Sequence, residues 1–530
     1  MRDSCDVIII GAGHNGLTLG SYLARSGLDV MVLEKRHEEG GGLCTEELTG
    51  VGFLHNVHAN YHTFVDMAPP VLDLDVRGHG VEYVRPEVQM ASIFEDGTAL
   101  TVHTDMDKTL ASMARFSQQD ADTFSRLYGE AHGYVELLLG TLMYQPPMSV
   151  KELTKALAAF GVEDRSEFLS VKLRRMTINQ FLDQHFTHPK VKMHLAFHGA
   201  VCGYTNDVAG LAIGYPLLVG KMDNWHLCVG GSHRLAHALW RGMAQAGGVM
   251  VSDASVSSIM VENGRAVGVQ LASGEQITAR RAVCSTVDVE QTFLKFIDPK
   301  NLSDEFRERV ATKVVHKDWS LFSVHAAMNA APQYEAAAFD ADVDKAWVVN
   351  LGYGSPEELN EDWRIIRGGG LPDPRPNAAV NSLYDPTDAP PGHFTGLLRQ
   401  FAPYAVNGGG AGQWETLGRW YGERCIDAWA RFAPNMRDAI MDWVPFTPLD
   451  ISRKMVNMVA GDWMMGEISL DNMLDQRPLP ELGQYRTPVE GLYMAGSTQH
   501  PHGFITFGPA YNALQVIADD LGLDPWWRKV

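Results

Sequence analysis

The fold of this 530-residue chain is decided by its residues 7–17, which read VIIIGAGHNGL. Residues 7–10 form a short β-branched run, which is typical of a fully buried parallel strand. Residues 17–26 predict a helix that ends at Gly27, and Val30–Leu33 predicts a second buried strand. Together these elements indicate the beginning of a βαβ unit in a Rossmann-type sheet.

A complete G-x-G-x-x-G motif connects the predicted strand to the predicted helix. Gly11 permits the tight turn, Gly13 allows a pyrophosphate to approach the backbone, and Gly16 lets helix and strand pack closely. Glu34 ends the next strand, where an acidic residue accepts hydrogen bonds from the adenosine ribose. The motif therefore predicts a dinucleotide held by Gly11, Gly13, His14, Asn15, Gly16, Glu34 and Lys35.

The glycine pattern favours FAD over NAD. Gly41, Gly42 and Leu43 follow the acidic residue closely, where flavoproteins bring a second backbone loop to the FAD phosphates. A reductase that holds NAD(P)H in its own domain needs a second G-x-G-x-x-G motif, and residues 230–234 (GGSHR) lack that spacing. We therefore expect bound FAD and no requirement for nicotinamide.

The chain is too long for one core, because single cores stop growing at roughly 250–300 residues. Its α/β pattern appears three times, with insertions between. The predicted fold class is α/β: a Rossmann-type FAD-binding domain assembled from discontinuous segments, with an inserted α+β substrate domain. The expected FAD-binding segments are 1–108, 228–300 and 481–530, and the expected substrate segments are 109–227, mainly helical, and 301–480.

Composition indicates which partners and which cell compartment to expect. A formal net charge of −20 opposes binding to nucleic acid, whose phosphates are anionic. Six cysteines without C-x-x-C spacing favour reduced thiols in the cytoplasm. No apolar run is long enough for a transmembrane helix, which leaves contact with a membrane surface open. The sequence also leaves a homo-oligomer open.

These residues resemble the phytoene desaturase-like family of FAD-dependent oxidoreductases, within it most closely the desaturase-type beta-carotene ketolases and their relatives. The resemblance covers nearly the whole chain. It is carried by residues 7–17, 33–36, 41–42, 230–231, the strand around Val256, and residues 263–269 (NGRAVGV), 385–386, 389–392, 477–481 (RPLPE), 491–493, 496 and 500–501.

The resemblance implies further cofactor contacts. Val256 is expected to hold the adenine through its backbone, and Ser285 to lie near the cofactor. Gly496 and the backbone of Ile505, Thr506 and Phe507 are expected at the ribityl chain and the isoalloxazine. Relatives carry small residues after a G-A-G-T-H-P-G-G run, whereas residues 496–504 here read GSTQHPHGF.

Histidines are the candidates for catalysis. An imidazole titrates near neutral pH, so it can take a proton while hydride leaves for flavin N5. His500 and His502 lie in the flavin-side loop, and His58 and His62 lie in an opposing segment that also contains His55. The alternatives are a histidine that orders a loop and plain structural histidines. No carboxylate or cysteine completes a ligand set there, so no metal site is predicted.

The substrate is expected to be smaller and more polar than a carotene. Five polar groups, His55, His58, His62, Gln499 and His502, would lack partners around a pure hydrocarbon. Aromatic residues before position 227, among them Tyr204 and Trp225, are candidates for a pocket wall, with core packing as the alternative.

The leading functional hypothesis is a dehydrogenase or oxidase that transfers hydride from a substrate C–H to FAD, with oxygen or a quinone as acceptor. The alternatives are a redox-neutral isomerase or a carotenoid-type desaturase or ketolase, and a non-catalytic FAD-bound scaffold.

Overall fold

Two large sheets organise the protein, whose computed structural model describes residues 2–159, 161 and 166–528. The strands are β1 (Ser4–Ile10), β2 (Val30–Leu33), β3 (Thr45–Glu47), β4 (Leu54–Asn56), β5 (Tyr83–Val84), β6 (Val88–Ile93), β7 (Ala99–His103), β8 (Leu227–Cys228), β9 (Val249–Val251), β10 (Val256–Glu262), β11 (Arg265–Leu271), β12 (Gln276–Ser285), β13 (Ser320–Met328), β14 (Val348–Leu351), β15 (Asn377–Ala379), β16 (Phe394–Ala402), β17 (Ile440–Phe446) and β18 (Leu492–Met494).

The helices cover the sheets and fill the region between residues 106 and 219. They are α1 (His14–Arg25), α2 (Pro69–Asp73), α3 (Met106–Ala114), α4 (Gln118–Leu142), α5 (Val150–Ala159), α6 (Ile178–His185), α7 (Pro189–Val201), α8 (Tyr215–Val219), α9 (His233–Gln245), α10 (Asp304–Lys313), α11 (Pro356–Arg367), α12 (Trp414–Phe432), α13 (Met436–Ala439), α14 (Pro448–Lys454) and α15 (Gly508–Leu521).

The first sheet is the predicted Rossmann-type sheet. Its order is β10-β11-β12-β1-β2-β9, and β18 pairs with β12. The pairs β12-β1, β1-β2, β2-β9 and β12-β18 are parallel, whereas β10, β11 and β12 form an antiparallel meander. Its strands come from three stretches of the chain that are far apart in sequence. The predicted α/β class with a discontinuous Rossmann-type domain is therefore confirmed.

The second sheet has the order β17-β13-β16-β15-β14-β6-β7. Its pairs are antiparallel except β14-β6, which is parallel. Strands β6 and β7 lie within the stretch 1–108 that was expected to belong wholly to the FAD-binding domain. Their hydrogen bonds show that the second sheet already begins before residue 109. The division of the chain into five segments stays a prediction.

Local sequence patterns correspond well to the elements near the motif. The apolar run before Gly11 is β1, and three of its side chains, Val7, Ile8 and Ile9, have no exposed surface. The Asn263-Gly264 turn joins β10 to β11, as predicted. Helix α5 matches the predicted helix at 151–160 up to Ala159, since Phe160 lies outside the described residues.

Among the described residues no helix is both long and apolar enough to cross a bilayer. The fold instead places the carboxyl ends of β1 and β2 opposite the face of the second sheet. In open α/β sheets, ligands bind beyond the carboxyl ends of the strands, so this gap is the expected position of the site.

Candidate active site

A cavity of about 490 Å³ lies beyond the carboxyl ends of β1 and β2 and reaches the second sheet. Ile10, Gly11 and Leu33 line it at the ends of these two strands. We call it the first cavity. Such a volume lies in the range of ligand pockets, about 300–1,000 Å³.

The three glycines of the motif have different surroundings. Gly11 has a φ of +99°, and a Cβ there would lie 2.7 Å from Thr286 Oγ1. A Cβ on Gly16 would lie 1.9 Å from the carbonyl oxygen of Gly11, so only glycine fits between helix and strand. Gly13 has no atom within 4 Å of such a Cβ and lines the first cavity. Gly11 thus forms the turn, Gly13 leaves the backbone open, and Gly16 allows the close packing, as the motif predicts.

The amino end of α1 faces the first cavity. Its N-cap is Gly13, and no side chain caps the first turn. The unpaired N–H groups and the positive helix end make this position suitable for a phosphate group. Asn15 Nδ2 donates to Ser497 Oγ over 3.1 Å, which ties the helix to the carboxyl-terminal loop beside the same cavity.

Glu34 holds the glycine turn and borders the same cavity. Its Oε2 accepts from the N–H of Ala12 over 2.8 Å, and its Oε1 accepts from the N–H of Arg36 over 2.9 Å. The side chain is 9% exposed. The carboxylate therefore fixes the glycine turn at the edge of the first cavity, and its contact with a ribose stays a prediction.

The structure brings most of the predicted cofactor residues to one wall and leaves others behind it. The first cavity is lined by Gly11, Gly13, His14, Asn15, Glu34, Lys35, Gly41, Gly42, Leu43, Val256 and Ile505. Gly16, Ser285, Gly496, Thr506 and Phe507 do not line it. Ser285 instead hydrogen-bonds to Thr292 Oγ1, and Thr506 accepts from Gly508 N at the start of α15. Their direct contact with FAD stays a prediction.

A face of the second sheet closes the first cavity on the other side. Ser323 and Asn377 each stand opposite Arg399 in the strand register, which makes one polar row across β13, β16 and β15. Leu321 stands opposite Phe401 in an adjacent apolar row. All five residues line the cavity. Sequence patterns did not reveal them, because the rows exist only through strand pairing.

A second cavity of about 200 Å³ lies among the helices, with walls that are mostly apolar. Leu139, Leu153 and Leu217 contribute from α4, α5 and α8. Tyr204 and Trp225 also line it, so these two candidates for a pocket wall do border a cavity. Phe504 borders both cavities and has a φ of +81°, which strains an aromatic residue.

The four candidate catalytic histidines separate into three environments. His58 lines the first cavity, and His500 and His502 line the second. His62 lines neither, because its two ring nitrogens are engaged by Tyr83 and Ser232 at 3.1 and 3.0 Å. Its neighbour Tyr61 faces the first cavity, so the side chain of His62 points away.

Burial determines the protonation of these imidazoles. It lowers the pKa of His58 to about 3, an effect that the nearby cation Arg399 increases. Burial likewise lowers the pKa values of His62 and His502 to about 3 and that of His500 to about 4. All four rings are neutral at pH 7. Burial thus moves these rings away from titration near neutral pH, and a catalytic role for any of them stays a prediction.

The polar groups expected around the substrate are dispersed. Of the five, only His58 and His502 reach a cavity. His55 Nε2 lies 2.8 Å from Thr49 Oγ1, and Gln499 has no exposed surface and lines neither cavity. Side chains that are neighbours in sequence point in different directions, so the two segments do not present all five groups to one cavity.

One group of potential metal ligands exists among the described residues, formed by Glu38, Cys44 and Glu46 within 4.8 Å. Arg36 forms an ion pair with Glu38, and Lys454 forms one with Glu46. Burial raises the pKa of the Cys44 thiol to about 12, and Glu46 adds to this effect. The group is therefore an ion-pair network around a protonated thiol.

The first cavity fits FAD. Its motif end offers an uncapped helix amino end, open backbone at Gly13 and the carboxylate of Glu34. Ser497 and Ile505 belong to the predicted flavin-side loop and line the same cavity. The residues at the two ends thus suit the two ends of an elongated dinucleotide.

This chain is similar to known flavoproteins. A model of the flavin containing amine oxidoreductase family matches residues 16–307. The chain is 32% identical to a limonene dehydrogenase component of Castellaniella defragrans, over 99% of this chain and 96% of that protein. It is 25% identical to the lycopene-forming phytoene desaturase of a Paracoccus species, over 97% of each chain.

A solved structure has the same fold. An oxidoreductase from Methanosarcina mazei superposes with a TM-score of 0.61 at 15% identity, covering 96% of this chain and 99% of that one. The relatives confirm the phytoene desaturase-like resemblance, FAD as the cofactor and oxidoreductase activity. The chain belongs to the flavin containing amine oxidoreductase family, and it is an FAD-dependent oxidoreductase.

Proposed function

We propose that this oxidoreductase is a dehydrogenase of small to medium organic compounds with an apolar body. Gly13, Glu34 and the amino end of α1 would hold FAD at the motif end of the first cavity, and the space beside the second sheet would remain for the substrate. The single observation that carries this proposal is the position of Phe504, which borders both the first cavity and the apolar second cavity. Phe504 is thus a shared wall, and an apolar body beside the flavin would reach the second cavity when this side chain moves aside.

The reaction removes two electrons from the substrate. FAD, when bound, supplies an acceptor for hydride at N5. Hydride leaves one C–H bond and a proton leaves a neighbouring position, so the substrate gains a double bond. Oxygen or a quinone then takes the two electrons from the reduced cofactor. The similarity to a limonene dehydrogenase component over nearly the whole chain supports dehydrogenation of a small to medium organic compound.

His58 is our candidate for the group that receives the proton. It lines the first cavity, and its buried Nε2 has no hydrogen-bond partner among the described residues. Because the ring is neutral, one of its two nitrogens carries a lone pair, and the tautomer decides which one. The low pKa makes it a weak base, so the ring would hold the proton only during the transfer and then release it to solvent.

His500 and His502 support the loop instead. His500 Nε2 hydrogen-bonds to the carbonyl oxygen of Leu142, and His502 Nδ1 lies 2.7 Å from the carbonyl oxygen of Gly503. They border the second cavity and order the segment that leads to Phe504. We also propose a cytoplasmic location, consistent with six cysteines that are all present as buried free thiols.

Blocking the second cavity tests the proposal. Leu217→Trp adds volume to its wall, whereas Leu72→Trp adds the same side chain where leucine is 69% exposed. Both proteins should retain FAD. Anaerobic flavin reduction by a cyclic monoterpene should slow about tenfold or more in Leu217→Trp only, since overpacking costs about 1–3 kcal/mol.

Equal reduction rates in the two variants would contradict a substrate role for the second cavity. The same assay separates a redox-neutral isomerase from a dehydrogenase. An isomerase would convert its substrate only after prior reduction of the flavin, and its substrate would leave the oxidised flavin unchanged.

A further inference from the structure

Arg399 is a cation in an unusual position, in the middle of the cavity wall. Its Nη2 donates to the carbonyl oxygen of His58, and its guanidinium lies 5.3 Å from the centre of the Tyr61 ring. Among the described residues no carboxylate forms an ion pair with it. By contrast, Arg375 forms ion pairs with Asp362 at 3.3 Å and with Glu358 at 3.9 Å.

A buried cation without a carboxylate is costly, because a carbonyl and an aromatic ring replace only part of its hydration. Burial lowers the pKa of Arg399, in keeping with this cost. The side chain nevertheless retains intermediate exposure and lines the first cavity. A guanidinium has five N–H donors; here one donates to the carbonyl oxygen of His58, and the Tyr61 hydroxyl is a second hydrogen-bond partner. The remaining donors are available to a ligand in the cavity.

The neighbouring side chains continue the polar character. Ser323 and Asn377 flank Arg399 in the polar row, and Tyr61 O–H donates to Asn377 Oδ1 over 3.0 Å. The adjacent row, Leu321 and Phe401, is apolar. A ligand against this face therefore meets hydrogen-bond donors at one row and a hydrocarbon surface at the next.

We propose that Arg399 binds a carbonyl or carboxylate oxygen of the substrate, so that the preferred substrates are oxygenated compounds with an apolar body. The planar fork of a guanidinium matches such oxygens, and charge-assisted hydrogen bonds are roughly twice as strong as neutral ones. This inference rests on the proposed dehydrogenase function and adds the polar end of its substrate.

The test compares one carbon skeleton with and without oxygen. The probes are a cyclic monoterpene hydrocarbon, its ring ketone and its carboxylate derivative. In the wild-type holoenzyme, kcat/KM from anaerobic flavin reduction should be higher for the ketone or the carboxylate than for the hydrocarbon. Arg399→Met removes the charge at similar length. It should lower the ratio of kcat/KM for the oxygenated compound to kcat/KM for the hydrocarbon roughly 10- to 100-fold.

Two further variants make the result specific. Arg399→Lys keeps a charge but loses the fork, so it should restore part of the preference, mostly through KM. Arg375→Met removes a partly buried arginine that lines neither cavity, and the preference should remain as in the wild type. FAD content is measured in every variant.

Each outcome separates the hypotheses. A wild type that reduces equally fast with all three probes overturns the role of Arg399, whether or not the variants fold. An unchanged preference in Arg399→Met does the same. A shift of the flavin reduction potential in Arg399→Met, with selectivity unchanged, would assign the charge to the flavin instead. No flavin reduction by any probe would contradict the proposed function itself.

Discussion

The two cavities of the protein differ in what their walls are made of. At the motif end of the first cavity the wall includes open backbone, from Gly13 and the uncapped end of α1. The second cavity is walled by side chains from helices distant in sequence, such as Leu139 and Leu217. A backbone wall needs glycine at fixed spacing, whereas a side-chain wall can be built from many apolar residues. The backbone wall is therefore specific for its type of ligand, whereas the side-chain wall can vary in sequence.

The largest effect is expected behind the backbone wall, where α1 packs against the glycine turn and leaves no space at Gly16. Gly16→Ala places a methyl group against the Gly11 carbonyl oxygen, so helix and strand must separate. We expect a loss of about 3 kcal/mol or more in the free energy of unfolding and a protein without FAD. Gly129→Ala is the matched control, because its Cβ would meet no atom within 4 Å on the exposed side of α4. It should stabilise the helix by up to about 1 kcal/mol. Thermal melts and flavin absorbance measure both; a yellow, stable Gly16→Ala protein would refute the close-packing account.

The next largest effect concerns the proton at the substrate end. His58→Gln should slow anaerobic flavin reduction by roughly 10²- to 10⁴-fold with FAD still bound, since the proton acceptor is lost. His62→Gln should chiefly lower the free energy of unfolding, by about 1–3 kcal/mol, because Tyr83 and Ser232 lose a hydrogen-bond partner. Equal kinetic effects of the two substitutions would show that His58 has no special role.

The third prediction addresses the acidic residue of the cofactor end. Glu34→Ala should weaken FAD binding by about 1.5–3 kcal/mol, which is roughly a 10- to 150-fold increase in Kd. Part of this loss comes from the Ala12 and Arg36 N–H groups, which Glu34 holds in the present structure. Titration of the apoprotein with FAD gives the Kd, and an unchanged value would remove Glu34 from the cofactor site.

The smallest effect is expected for the pH dependence of stability at His316. His316 lies 3.6 Å from Asp462 and 3.7 Å from Glu290. Burial lowers its pKa, but the two carboxylates outweigh burial and raise the pKa from 6.5 to about 10. The folded state thus holds this proton more tightly than the unfolded state.

The stabilisation from His316 is fully present below pH about 6.5 and is lost as the pH rises through about 10. The melting temperature of the wild type should therefore fall by a few degrees over this range, beyond any fall in His316→Gln. Melting curves at a series of pH values measure the difference. Parallel pH profiles would show that the carboxylates do not hold the proton.

The difference between a wall of local backbone and a wall of distant side chains also explains how much the sequence could predict. The β1-α1-β2 unit and Glu34 were predictable, because strand, turn and helix are local and the glycines have fixed tasks. The polar row of Ser323, Arg399 and Asn377 was not, because it depends on the pairing of three strands far apart along the chain. The direction of His62 also depends on tertiary contacts, with Tyr83 and Ser232.

The most direct test of the central claim is anaerobic titration of the purified yellow protein with an oxygenated cyclic monoterpene. The account predicts stepwise loss of the oxidised flavin absorbance, its recovery on admission of oxygen or a quinone, and release of free FAD on denaturation. A protein that binds FAD but whose absorbance does not change with ketone, carboxylate or hydrocarbon would contradict it.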